Sequence, residues 1–166
     1  KNSVILNYDE KLNNFLKWYQ QLSAESLGKK GKGFFPIISQ MPKDNHSLLQ
    51  LYLDGPKNNF FSFFSSRESN SFKFNNDHII GGLEHLKKKN LDQVLHAQKK
   101  ATQNIFKMKK LPFRSFEIIN RSEETLGELF TFFILETLLL GSLLKVNPIN
   151  QPSVELIKIE TKNILK

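Results

Sequence analysis

Short apolar runs alternate with longer stretches of helical periodicity along this 166-residue chain, and that alternation predicts an α/β fold: a mainly parallel sheet flanked by helices. Breaks at Gly28 to Gly33, Asp54-Gly55-Pro56, Pro112 and Pro148 fall between the segments rather than inside them. The length suits a single domain with its own core.

Residues 8 to 26 read as a helix, with Leu12, Phe15, Tyr19 and Leu22 at helical spacing. Phe34 to Ser39 is an apolar run bounded by loop residues and reads as a buried strand. Asp44 or Asn45 is placed to cap a helix through Ser47 to Tyr52, which Asp54-Gly55-Pro56 ends. Asn59 to Ser65 is phenylalanine-rich and reads as a strand. Ser66 to His78 is polar and reads as a loop, with a short extended piece at Phe72 and Phe74.

Leu91 to Lys110 is a long amphipathic helix carrying Val94, Leu95, Ala101, Ile105 and Met108, and Pro112 stops it. Phe113 to Asn120 reads as another strand. Ser122 can accept from the backbone of Thr125, opening a helix from about Glu123 to Leu144. That helix is apolar almost all round, which predicts a buried central helix. Glu128 and Glu136 interrupt it and make a membrane span the weaker reading. Ser153 to Leu165 forms a last helix, and no internal repeat is evident.

Composition bounds the chemistry. No cysteine is present, so disulfides, thiol catalysis and thiolate zinc sites are excluded. Four histidines, His46, His78, His85 and His96, lack compact metal-ligand spacing, and no metal site is expected. The net charge of +8 invites nucleic acid, but the lysines are scattered and no aromatic-interleaved basic motif accompanies them. Lys87 to Lys89 and Lys107 to Lys110 read as solvated ends of a helix, so neither a nucleic acid nor a membrane partner is expected. Lys1 is not a start methionine, and the chain reads as a segment of something longer.

Three side chains have settings suited to moving protons. Glu25 sits at a helix end just before Gly28-Lys29-Lys30-Gly31-Lys32-Gly33. It suits a general base beside a closing loop, or an ordinary exposed terminal carboxylate, and the local sequence alone favours the second. His46 supplies an imidazole, the side-chain type suited to donating or accepting a proton near neutral pH, and at a helix start the dipole would disfavour its charged form; a surface histidine explains it as well. Lys158 lies in the first turns of the last helix, either partly buried or solvated. Gln21 and Gln151 are amide donors for a developing oxyanion. The glycine-lysine loop does not match GxxxxGK[ST], so it is a turn before a strand rather than a nucleotide cradle.

The order of these features carries more than each one does. WYQQLSAESLGKKGKGFFP from Trp18 and DNHSLLQLYLDGPKNNFF from Asp44 resemble the stretches AESLGKxGKGxTP and DQHSxLQLYxDGPxDKxF of bacterial phosphoglucose isomerases. ETLGELFTFFILETLLLGSLLKVNPINQPSVELIK is similar to the family's final block, close to NPFDQPGVExGK. The matches span nearly the whole chain in the family's order. The resemblance implies a three-layer sugar-isomerase domain over 1–166, the C-terminal one of a two-domain enzyme whose N-terminal domain is absent here. It implies a cytoplasmic, cofactor-free homodimer that interconverts glucose 6-phosphate and fructose 6-phosphate through ring opening and a cis-enediol.

By the same resemblance Glu25 is the base, His46 and Lys158 open the ring, and Gln21 and Gln151 contact substrate. The family's phosphate-binding hydroxyls and an arginine lie in the absent portion, so the segment alone is expected to be inactive. Asn45 stands where the family has Gln, Ile149-Asn150 replaces Phe-Asp, and Ser153 and Ile157 replace small residues. These departures leave a second reading open, a non-catalytic sugar-phosphate-binding domain of the same fold.

Overall fold

A computed structural model describes residues 2–68 and 81–166. The expected extended piece at Phe72 and Phe74, most of the expected loop around it, and His78 lie outside those residues. Among the described residues four strands form one sheet: β1 (Asn2–Asn7), β2 (Phe35–Gln40), β3 (Asn59–Ser66) and β4 (Phe113–Ile118). Every pairing is parallel and the order is β2-β1-β3-β4. Val4 faces Ile37 on one side and Phe61 on the other, and Phe61 faces Phe113. The helices are α1 (Asn13–Leu27), α2 (Leu49–Asp54), α3 (Leu91–Met108), α4 (Glu123–Leu144) and α5 (Pro152–Ile164).

Alternation along the strands splits the core into two layers. Val4, Leu6, Phe61 and Phe63 point to one face, where Tyr52 of α2 and Phe106 of α3 cover them. Ile5, Phe64 and Ile118 point to the other, beneath Phe15, Leu16 and Tyr19 of α1 and Phe133 of α4. The expected α/β architecture with helices on a parallel sheet is therefore the one observed.

Three expectations need correction. The central strand β1 was not among the expected elements. Its run of Val4, Ile5 and Leu6 is buried on both faces and lacks the alternation that marks a half-buried strand. The second correction concerns the cap of α2. Asp44 and Asn45 belong to a 3-10 turn, Lys43–His46, while α2 begins after Leu48 without a side-chain cap. Asp44 instead accepts from the Gln40 backbone N–H at 2.7 Å, which fastens this turn to the end of β2.

The third correction concerns α4, which has the expected bounds and the expected Ser122 cap, accepting from Thr125 N at 3.3 Å. It is not buried all round. Phe133, Thr137 and Gly141 form its buried stripe, while Leu135, Leu139 and Leu143 face outward. By length and a mean hydropathy of 1.6 this helix alone, among the described residues, meets the requirement for crossing a membrane. Its inner side is committed elsewhere: Glu136 accepts from Arg114 of β4 and from the Tyr19 hydroxyl of α1 at 3.2 Å. Uniform hydrophobicity fixes where such a helix lies in the chain but not how many of its faces find cover.

The Tyr19 contact has a pH consequence. Burial, and then the Glu136 charge, push its pKa from 10.0 up to about 12. The folded value exceeds the unfolded one, so this contribution is complete below pH 10 and is lost as pH rises from 10 towards 12. A gap of about two units is worth up to roughly 2.7 kcal/mol. Tyr19→Phe is expected to remove that component, so wild-type stability should fall more steeply than the variant's between pH 9 and 11.5 in urea titrations. Parallel curves would refute it.

Candidate active site

Gln21 and Glu25 are four residues apart on α1 and therefore share one face of the helix. The Gln21 side-chain amide donates to Glu25 Oε1 at 3.0 Å. Gln151, far along the chain at the entry to α5, donates to Glu25 Oε2 at 2.5 Å. Both carboxylate oxygens are thus held by neutral amides, in a half-exposed position. Two such donors orient a carboxylate without supplying a counter-charge.

The crossover order fixes where this cluster lies. β1 and β2 run parallel with α1 between them, so α1 returns against the strand direction. Its C-terminal end, with Glu25, lies at the amino ends of the strands. His46 follows β2 directly and lies at their carboxyl ends. The structure therefore brings Gln21, Glu25 and Gln151 together and sets His46 at the opposite edge of the sheet.

His46 is exposed and closes the 3-10 turn instead of opening α2, as the sequence had suggested. Beside it, Asn45 Oδ1 is buried without a hydrogen-bond partner, at the position where a family glutamine was expected. Lys158 is exposed and pairs with Glu155 at 2.6 Å, one turn away on α5. No residue of α5 is buried, so the partly buried setting considered for Lys158 is not found in this chain. Ile149 and Ile157, two of the departures from the resemblance, are both largely exposed.

One polar cluster escaped the sequence reading. Lys99, on α3, is buried and donates to Ser65 Oγ at 2.7 Å and to Glu117 at 3.2 Å. Arg121 pairs with the buried Asp9 at 2.8 Å and with Glu68. Asp9, Ser65, Glu68, Lys99 and Arg121 line a cavity of about 200 Å³ beyond the carboxyl ends of β1 and β3, where the strand order reverses. Nothing in a solvated-looking helix lysine signals such burial. Among the described residues no three His, Asp or Glu side chains converge as a metal site.

No family model matches the chain. It is 35% identical over 156 residues to a probable glucose-6-phosphate isomerase of Methanococcus maripaludis, covering 92% of this chain and 34% of that protein. It is 37% identical over 159 residues to the glucose-6-phosphate isomerase of Mycoplasmopsis synoviae, covering 93% and 37%. The Campylobacter jejuni glucose-6-phosphate isomerase is 34% identical over 168 residues, covering 98% and 41%.

Among solved structures, a hypothetical protein of Thermus thermophilus superposes with a TM-score of 0.86 at 28% identity, over 98% of this chain and 41% of its own. A glucose-6-phosphate isomerase of Chlamydia trachomatis shares the fold, with a TM-score of 0.77 at 17% identity, over 99% and 34%. The chain thus spans between a third and two-fifths of the length of these relatives. Over that span, this chain is similar in sequence to glucose-6-phosphate isomerases at 34 to 37% identity.

Proposed function

We propose that this chain is the C-terminal sugar-isomerase domain of an enzyme that interconverts glucose 6-phosphate and fructose 6-phosphate, with Glu25 as its base. The observation that carries this reading is the Glu25 carboxylate held between Gln21 and Gln151, which are 130 positions apart in number yet meet on one acid. In the open aldose the neighbouring carbonyl acidifies the C2 hydrogen. Glu25 takes that proton, the C2–H electrons form the enediol double bond, and the carbonyl oxygen gains a proton. Return of the proton from Glu25 to C1, as the C2 hydroxyl releases its proton and becomes the carbonyl, yields the ketose.

Ring opening needs a proton delivered to the ring oxygen and one removed from the anomeric hydroxyl, the roles assigned to His46 and Lys158. His46 lies across the sheet from Glu25, which accords with its serving a second subunit's site in a homodimer. Lys158 stands two turns into α5 from Gln151, and its pairing with Glu155 must open when it meets substrate. The sugar phosphate is anchored by the part of the enzyme that this segment does not include.

Joining the segment to its natural upstream sequence is expected to give isomerase activity, and the segment alone very little. Turnover by the segment comparable to the joined protein would overturn the claim that it is incomplete. In the joined protein, Glu25→Gln is expected to lower kcat by about 10²- to 10⁴-fold with KM nearly unchanged. An unchanged rate would remove Glu25 from the mechanism and favour the non-catalytic, sugar-phosphate-binding reading.

A further inference from the structure

The glycine-lysine loop after Glu25 has an unexpected use. Its two anchored ammonium groups are turned onto main-chain carbonyls of the connection that carries Gln151. Lys29 Nζ donates to Ser26 O at 2.9 Å, at the end of α1, and to Asn147 O at 2.7 Å. Lys32 Nζ donates to Leu144 O at 2.7 Å. Leu144 is the last residue of α4, where the carbonyls lack intrahelical partners and the helix dipole is negative, so a cation there is doubly suited.

Both sides of this junction are shaped to meet. Gly33 adopts a φ of +109°, and a Cβ there would approach Leu27 O to 2.9 Å and Gly28 Cα to 3.1 Å. Only glycine lets the loop fold back so closely onto the end of α1. Across the junction, a Cβ on Gly141 would lie 3.1 Å from the Pro148 ring, so Pro148 seats directly on α4. Lys145 turns the chain in the left-handed conformation, and Val146 N–H closes onto Gly141 O at 3.0 Å. From that seat the chain reaches Gln151, which meets Glu25. Partial desolvation holds the Lys29 ammonium below the usual lysine pKa.

We propose that Lys29 and Lys32 are positioning residues that clasp the α4–α5 connection to the end of α1 and thereby hold Gln151 on Glu25. This rests on Glu25 being the base for its catalytic consequence, but the contact itself does not. The loop thereby sets the second amide on the carboxylate.

The test has two arms. In the 166-residue chain, the Gln151 side-chain amide is followed by NMR, with Glu25→Ala giving the position of a released amide. Lys29→Met with Lys32→Met is expected to move the Gln151 signals to that released position, while Lys30→Met, a charge loss in the same loop, leaves them in place. Should the double variant fail to fold, Lys29→Met and Lys32→Met are read singly, each moving the signals part of the way. Gln151 signals that stay at the wild-type position in a folded clasp variant would overturn the proposal.

In the joined protein, the clasp variants are expected to lower kcat about tenfold to a hundredfold with KM within about twofold, as a misplaced catalytic group does. Lys29→Arg is expected to recover much of the loss, since a guanidinium can still reach the carbonyls. Released amide signals with an unchanged kcat would overturn the catalytic part. An inert Glu25→Gln would instead defeat the base assignment and leave the NMR arm to decide the clasp.

Discussion

Phe133→Ala is expected to cost about 3–5 kcal/mol, the range for truncating a buried phenylalanine, and so a large part of a domain's total stability. The ring is wholly buried on the inner stripe of α4. Its centroid lies 4.2 Å from that of Tyr19, 5.3 Å from Phe116, 5.8 Å from Phe15 and 5.9 Å from Phe64. It therefore joins α4 to α1 and to both β3 and β4. With these elements meeting at one ring, the cavity cannot collapse cheaply, and the melting temperature should drop by about 10 °C or more. Leu139→Ala, on the same helix but 67% exposed, is the contrast and should change stability by less than about 0.5 kcal/mol. Comparable losses from the two variants would show that α4 does not sit on the sheet by this stripe.

The second large effect concerns Arg114 and Glu136. Arg114 lies beside three rings, 5.0 Å from the Phe116 centroid and 5.7 Å from those of Phe60 and Phe133. Glu136 takes two of its N–H groups and also the Tyr19 hydroxyl. Glu136→Leu leaves a guanidinium among aromatic rings without its anion. Breaking a fully buried pair costs roughly 3–5 kcal/mol; with side chains 28% and 20% exposed, about 2–3 kcal/mol is expected. Arg114→Met combined with Glu136→Leu should recover much of that, because neither charge is then stranded. A double-mutant cycle from urea titrations checks it, and a coupling energy near zero would mean the pair contributes nothing jointly.

Much of the scaffold was legible because its signals are local. Ser122 caps α4 as its spacing suggests, Pro112 follows the end of α3, and the phenylalanine run of β3 is a strand. What escaped is set by distant partners. Val4-Ile5-Leu6 is too brief to mark a strand until β2 and β3 flank it. The outward leucines of α4 look the same in sequence as its buried Phe133. Lys99 is hidden by Ser65 and Glu117, neither of them near it in the chain. The site divides in the same way. Gln21 and Glu25 share a face by spacing alone, but Gln151 joined them only through a family resemblance. His46, read as opening a helix, ends a turn because Asp44 is drawn to the Gln40 backbone.

The position of β1 has a consequence for how the chain comes together and apart. Among the described strands it comes before its two partners in the chain and is flanked on each side, by β2 and by β3. Its backbone must wait for Phe35–Gln40 and Asn59–Ser66 to emerge before either edge is paired. During that interval a naked apolar strand is open to chaperones and to other nascent chains. The same arrangement makes the start of the segment its weakest place to cut. Trimming a few residues through Asn7 takes out the middle of the sheet, stranding β2 on one side and the β3–β4 pair on the other.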